Sequence, residues 1–242
     1  ISFFSAISIG SYNISLIDFL GKGISKIEQI VLLEIRTPRV LLAGFVGAAL
    51  SISGACLQGI FRNPLAEPGL IGVSAGAALG AATSIVIGNY IFPEFLIKYM
   101  IPISAMAGSM FVIFMLFLIT KNFGYNSVTY LLLAGIAINA FVGVGIGILT
   151  YISDESELRG LTFWTMGSFG AANWTLVLPA MLIILVTIFF LIPFSRQLDL
   201  LQLGEPEAYR LGVDVKKLKF RIIISSAIVV GVSVSLSGMI GF

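Results

Sequence analysis

The sequence predicts an all-α fold, a polytopic membrane helical bundle of about seven spans, and two observations carry that prediction. The first is composition. Of 242 residues, 58% are hydrophobic and 11% charged, and mean hydropathy is +1.06, whereas ordinary soluble domains carry about 25% charged residues. A soluble domain of this size could not hide so much apolar surface. The second is the spacing of charge-free windows. A helix needs about 20 apolar residues to cross roughly 30 Å of hydrocarbon, and uncharged windows near that length recur along the chain.

Taken in order, residues 1–17 are uncharged but hold Gly10-Ser11-Tyr12-Asn13, and read as the last turns of a helix whose beginning is missing. No basic stretch precedes them, as a signal peptide would require. The second span is 40–61, the third 70–92, the fourth 99–120 and the fifth 127–153. Residues 160–195 are too long for one span and too short for two. They divide into a short helix or re-entrant piece over 160–172 and a span over 174–194, introduced by Asn173 and Trp174. The short piece must be shielded by protein or lie at the surface, because lipid cannot satisfy free backbone groups. The seventh span is 222–242. Linkers are short, so residues 1–242 read as a single membrane domain.

Orientation follows from Lys and Arg. Loops after the second, fourth and sixth spans hold eight of the 14, including Lys216, Lys217, Lys219 and Arg221; the opposite side holds six, including Arg36 and Arg39. Seven of the 12 acids lie on that opposite side, which gives a net charge of +3 on the first side and −1 on the second. The 196–221 loop is therefore expected in the cytoplasm.

Several function classes fall away. Histidine is absent and Cys56 is the only cysteine, which excludes an intrachain disulfide, a multi-Cys or His metal site, and any histidine-based triad. A net charge of +2, with no basic run interleaved with aromatics, gives no footprint for nucleic acid. Gly21-Lys22-Gly23 lacks the upstream glycine and the Ser/Thr of a phosphate loop, so any energy source is another chain. No span carries an ionisable residue in its middle. That argues against ion-coupled secondary transport, the competing class, and for a conduit driven from elsewhere. Asp154-Glu155-Ser156-Glu157 reads as a solvated outer loop. No catalytic or metal-ligating residue is expected.

Gly72, Gly76 and Gly80 recur every fourth residue and are expected to stack on one helix face, where small residues let backbones approach. Gly143 and Gly147 on the fifth span, and Ser233 and Ser237 on the last, share that spacing. Each set is open to two readings, tight packing or the lining of a solute path.

Three polar islands stand out. In Glu34-Ile35-Arg36-Thr37-Pro38-Arg39, Pro38 suits the first turn of a helix. The two arginines project from one face, either snorkelling to headgroups or forming a fork for acidic groups on a partner. Phe61-Arg62-Asn63-Pro64-Leu65-Ala66-Glu67-Pro68-Gly69-Leu70 is a turn that stops one helix and starts the next. The third runs from Leu200 to Val213: Gly204 ends one helical stretch, Glu205 and Pro206 open a short helix with acids in its first turn, and Gly212 closes it. As a bare loop it is over-designed; as a docking knob it makes sense.

At these residues the chain resembles the permease of type II ATP-binding-cassette importers, the family that takes up haem, iron–siderophore complexes and cobalamin. The resemblance rests on Arg36-Thr37-Pro38-Arg39-Val40, Ser53-Gly54-Ala55 with Leu57-Gln58, Arg62-Asn63-Pro64-Leu65-Ala66-Glu67-Pro68 and Gly72-Val73-Ser74-Ala75-Gly76-Ala77. Leu131-Leu132-Leu133-Ala134-Gly135, Trp164-Thr165-Met166-Gly167-Ser168, Leu203-Gly204-Glu205 with Ala208 and Leu211-Gly212, and Ser237-Gly238-Met239-Ile240-Gly241-Phe242 extend it.

The resemblance implies a homodimer of ten-helix subunits in the bacterial cytoplasmic membrane. Two cytoplasmic ATPase subunits use the ATP, and a periplasmic or surface solute-binding protein docks outside. It implies a binding-protein contact at Arg36 and Arg39, and an ATPase-coupling helix carrying Gly204, Glu205, Ala208, Leu211 and Gly212. It also implies a cytoplasmic gate at Asn63 and Leu65 with Ser127, Val128 and Thr129. Val128 departs from the hydroxyl-rich pattern usual there. Three further spans normally follow Gly241-Phe242, so on this pattern the chain is short at both ends. No covalent cofactor is implied. The solute would be a metal complex: haem first, on Phe61-Arg62-Asn63-Pro64 and Leu161-Thr162-Phe163-Trp164-Thr165-Met166-Gly167-Ser168, then a ferric siderophore, then cobalamin.

Overall fold

The computed structural model describes residues 2–8, 10, 25–91, 93, 96–123 and 128–240. Among them there are helices and turns but no strand. Much of the first expected span, residues 1–17, lies outside the described residues; what is described is the short helix α1 (Ser2–Ser8).

The second span is longer than expected. Ser25 caps α2 (Lys26–Ile30) in a capping box with Glu28. The helix then passes through a π-helical turn (Val31–Arg36) into α3 (Thr37–Phe61). Pro38 therefore does not open a new helix. It has no N–H to give the carbonyl four residues back, and its ring crowds that carbonyl. The π turn absorbs the conflict: Thr37 donates its N–H to the carbonyl of Leu32, and Thr37 Oγ1 donates to the same oxygen at 2.7 Å. The continuous helix Lys26–Phe61 has 36 residues, about 54 Å at 1.5 Å per residue, so its first turns extend past the hydrocarbon.

A 3₁₀ turn (Pro68–Ile71) leads into α4 (Val73–Ile91). Then come α5 (Ile97–Phe123) and α6 (Val128–Ile152). The acidic run expected as a solvated loop instead starts a helix. Asp154 caps α7 (Glu155–Met166), Glu157 completes the capping box, and Glu155 and Glu157 sit in the first turn, where acids complement the helix dipole. Asn173 caps α8 (Trp174–Leu191) through Leu176 N–H, and a 3₁₀ turn (Ile192–Phe194) continues into α9 (Ser195–Gln202). The short α10 (Glu205–Arg210) lies between Gly204 and Gly212, both at positive φ. Last comes α11 (Val215–Ser237), capped by Asp214. It begins before the expected 222 because Asp214 offers a cap there, and it stops at Gly238, φ 72.

Five of these helices are long and apolar enough to cross a membrane: Lys26–Phe61, Tyr99–Leu116, Leu132–Ile152, Trp174–Gln202 and Val215–Ser237. Val73–Gly88 is a shorter apolar helix. The protein is thus a multi-pass membrane bundle. Its centre is α11, which packs on α3, α4, α5 and α8. In the most apolar 18-residue stretch of α11 67% of residues are buried, against 22–44% in the corresponding stretches of the other four. Every residue from Val229 to Ser235 is buried, the pattern of a helix enclosed on every side over its second half, while Phe220, Arg221 and Ile228 leave one face of its first half exposed.

The tightest neighbours are α4 and α5. A Cβ on Gly80 would overlap the Ser104 carbonyl, and one on Gly108 the Gly76 carbonyl, so the two backbones touch. Gly72, expected on the same helical face, stands just before α4. It closes the 3₁₀ turn at φ 84, a conformation that favours glycine. Gly143 and Gly147 have open space beside them, on the face of α6 that carries the exposed Phe141, Val144, Ile148 and Tyr151.

Candidate functional site

The helices define two ends. Gln202 Nε2 donates to the Gly59 carbonyl at 3.0 Å, which puts α9 and α10 at the Phe61 end of α3. Ser168 N–H donates to the Ser237 carbonyl at 2.7 Å, and Arg39 donates to the Gly170 carbonyl at 3.3 Å. The α7–α8 connection therefore lies at the other end, with Arg39.

At the Phe61 end, the Arg62–Pro68 turn is held by its own polar groups. Arg62 is left-handed, φ 48. Asn63 Oδ1 accepts from Leu65 N–H at 2.9 Å, Gln58 Nε2 donates to the Pro64 carbonyl at 3.0 Å, and Ala66 N–H donates to the Asn63 carbonyl at 3.1 Å. The side chain of Leu65 projects from this rigid loop and is 83% exposed. Asn63 is the loop's organiser, a role its turn propensity foreshadows. Of the other expected gate residues, Ser127 lies outside the described residues, and Val128 and Thr129 open α6.

The same end presents α10. Ala208 is fully buried, against a core that includes Leu201, Val213 and Leu218, while Tyr209 and Leu211 on either side of Arg210 are exposed. Gly204 and Gly212 let the chain enter and leave this one-and-a-half-turn helix at positive φ. Glu205 is tied back: Lys219 Nζ sits 2.7 Å from its Oε1. Lys219 was expected only as one basic loop residue among several. The signal that could have found it is its phase. It lies three residues before Ile222 and seven before Ser226, on the stripe α11 buries.

The two arginines, open to readings as headgroup-snorkelling residues or as a fork, make different hydrogen bonds. Arg36 NH1 donates to the Ile7 and Ser8 carbonyls at 2.8 and 3.0 Å, stitching α1 to the long helix, and the side chain is part-buried. Arg39 stays exposed beside Gly170. Trp174 Nε1 donates to the Leu33 carbonyl at 2.9 Å, a second link between the same two segments. Beneath them is a cavity of about 960 Å³ walled by Ser84, Met100, Phe163, Trp164 and Leu176, with Ser235 on its floor. The Ser84 hydroxyl there has no hydrogen-bond partner. Ser233 and Ser237 donate to carbonyls of their own helix, Val229 and Ser233, and both are buried.

Known proteins are similar to this chain. The hemin transport system permease protein HmuU of Yersinia pestis is 48% identical over 210 residues, which are 87% of this chain and 62% of that protein. The cobalamin import system permease protein BtuC of Halobacterium salinarum is 34% identical over 220 residues, 91% of this chain and 58% of its own length. The molybdate import system permease protein MolB of Haemophilus influenzae is 36% identical over 220 residues, 90% and 63%. The chain spans less than two thirds of the length of these relatives. A solved structure described as an inward-facing conformation of a metal-chelate type ABC transporter superposes with a TM-score of 0.86 at 35% identity, covering 99% of this chain and 73% of that one. The FecCD transport family matches residues 1–242. With the fold and the family pattern coinciding over the whole length, the chain belongs to the FecCD transport family.

Proposed function

We propose that this chain forms the larger part of a permease subunit of an ATP-binding-cassette importer that moves a metal chelate, haem first, across the bacterial cytoplasmic membrane. The observation that carries the reading is the 48% identity to a hemin permease, against 34–36% for the cobalamin and molybdate permeases. The geometry supports the division of labour. The exposed α10 knob and the Leu65 loop share one end, and Arg39 lies at the other. With the Lys and Arg bias placing the 196–221 loop in the cytoplasm, the knob meets two ATPase subunits, which hydrolyse the ATP, and Arg39 with Arg36 meets acidic groups of a solute-binding protein. Asn63 and Leu65, with Ser127, Val128 and Thr129, form the cytoplasmic gate.

In this reading the chain contributes seven spans. Helix α4 is one of them. Its start lies beside the Phe61 end, and its Ser84–Gly88 segment lines the cavity at the Ser237 end; its 19 residues measure about 28 Å. Helix α1 (Ser2–Ser8) contributes to the remaining one. A second copy packs on the open face of α6, where Gly143 and Gly147 leave room for close approach, and the solute passes between the copies. The test is uptake into proteoliposomes holding the full-length permease, its ATPase and its binding protein, with haem, a ferric siderophore or cobalamin. Haem uptake that requires ATP, together with loss of coupling in Leu211→Asp, is the expected result. Uptake that persists without the ATPase and follows an ion gradient would sink it.

A further inference from the structure

The cavity at the Ser237 end has the size, position and lining of a lipid site. Its volume of about 960 Å³ falls at the upper end of the range for small-molecule sites, roughly 300–1,000 Å³. Helix α8 starts beside it with Trp174, the residue type that settles at the boundary between membrane and water. One face of α7 walls it: Glu157, Gly160, Trp164 and Gly167 follow one another at steps of three and four residues. Ile85 of α4, Met100 and Ile101 of α5, and Leu176 and Val177 of α8 supply apolar walls.

Two polar groups in this lining stand out. Ser84 is 8% exposed, and its hydroxyl has no hydrogen-bond partner. A serine inside a helix commonly donates to the carbonyl four residues back, as Ser233 and Ser237 do here. Ser84 does not, and a buried hydroxyl without a partner is costly. It is therefore available to an acceptor inside the cavity. Ser84 lies seven residues before the end of α4 at Ile91, about 10 Å along the helix at 1.5 Å per residue. The second group is the part-buried Glu157. Its Oε2 accepts from Asp154 N–H at 3.0 Å, which leaves Oε1 for a donor on a ligand. Among the described residues no Lys or Arg lines the cavity.

We infer that the cavity binds a phospholipid with a primary-ammonium headgroup, drawn from the leaflet at the Ser237 end. An acyl chain lies against Ile85, Met100 and Leu176. The Ser84 hydroxyl donates to an ester carbonyl, and Glu157 accepts a charge-assisted hydrogen bond from the ammonium. Charge decides between occupants: an anionic headgroup, or a metal chelate bearing carboxylates, would meet an acid here and no base. The bound lipid bridges α7 to α4, α5 and α8, and so supports the α7–α8 connection on which Arg39 rests. The site is the same whichever solute the permease carries.

The experiment uses the full-length permease in detergent, stripped of lipid and titrated with phosphatidylethanolamine or phosphatidylglycerol of the same acyl chains. Bound lipid is counted by mass spectrometry of the intact protein. Occupancy of the cavity is read on a Cys56→Ala, Ser84→Cys form by its rate of reaction with a small maleimide. Ser156→Cys, at an exposed position in the same lining, replaces that reporter if Ser84→Cys does not fold. Phosphatidylethanolamine should bind at least about tenfold more tightly than phosphatidylglycerol, the scale of one hydrogen bond to a charged group, and should slow the labelling. Glu157→Gln, which keeps an oxygen for Asp154 N–H, should abolish that preference. Ser84→Ala should weaken phosphatidylethanolamine about fivefold and keep the preference. Equal binding of the two lipids by the parent, or a preference that survives in Glu157→Gln, overturns the inference. If Glu157→Gln does not fold, the parent's ranking of the lipids and the protection of the reporter decide. A reporter that stays unreactive in the lipid-stripped protein means that the rest of the full-length chain fills the cavity. One shielded by haem and not by lipid assigns the cavity to the solute. Either result overturns the lipid site.

Discussion

Gly108 and Gly76 face each other across the α4–α5 contact so closely that a Cβ on Gly108 would overlap the Gly76 carbonyl. No side chain can shift to make room, because the obstacle is backbone. Gly108→Val is therefore expected to lower stability by about 2 kcal/mol or more, the upper part of the overpacking range, and to reduce the amount recovered from membranes. Gly147→Leu, on the open face of α6, should leave the thermal midpoint of the single subunit nearly unchanged and weaken association between copies. Thermal unfolding in detergent and cross-linking in membranes measure the two effects.

Arg62 caps α3 in the left-handed region at φ 48, where residues other than glycine pay about 1–2 kcal/mol. Arg62→Gly relieves that cost and loses part of the gain to chain entropy. A net stabilisation of up to about 1 kcal/mol is expected, measured as a higher thermal midpoint. A lower midpoint would mean that the arginine side chain contributes contacts that outweigh its backbone strain.

Asp214 caps α11 with its carboxylate, and the hydrogen bonds from the Lys217 side chain and backbone N–H hold its pKa below the ordinary 3.8. A carboxylate depressed on folding stabilises the fold above its unfolded value, and that contribution disappears as pH falls through the lower folded value. Asp214→Asn keeps a capping oxygen without the charge. The parent should exceed this variant in thermal midpoint at neutral pH, and the gap should close only at pH below 3.8. A gap that closes well above that value would contradict the assignment.

The arginine pair separates by burial. Arg36 holds the end of α1 through Ile7 and Ser8, so Arg36→Glu should lower stability as well as uptake. Arg39 is exposed, and Arg39→Glu should leave the thermal midpoint within about 0.5 kcal/mol equivalent while cutting binding-protein-dependent uptake at least tenfold. If Arg39→Glu transports normally, Arg39 has no part in docking.

Much of this architecture is legible in the residues, because charge-free windows and helix punctuation are local. Gly204 and Gly212 bracket α10 as their spacing suggests, and Asn173 caps α8. The departures have physical causes. Pro38 suggests a helix start only if a π turn is ignored, and the acids at 154–157 look like a loop until their capping box is recognised. Gly72 keeps the four-residue rhythm of Gly76 and Gly80 yet serves a turn, since spacing cannot distinguish a glycine needed for φ from one needed for contact. The pairings of Lys219 with Glu205, and of Trp174 with Leu33, join segments far apart in sequence, and no local pattern encodes such partners.

Among the described residues, the four helices that pack most on α11 precede it in the chain: α3, α4, α5 and α8 are all made first. During synthesis these four occupy the membrane before the element that fills the space between them exists. They must therefore wait in a loose association, held by contacts such as the α4–α5 glycine seam, until Val215 and the residues after it arrive. A nascent chain halted before Val215 would hold two helix pairs, α3 with α8 and α4 with α5, without the element that packs between them.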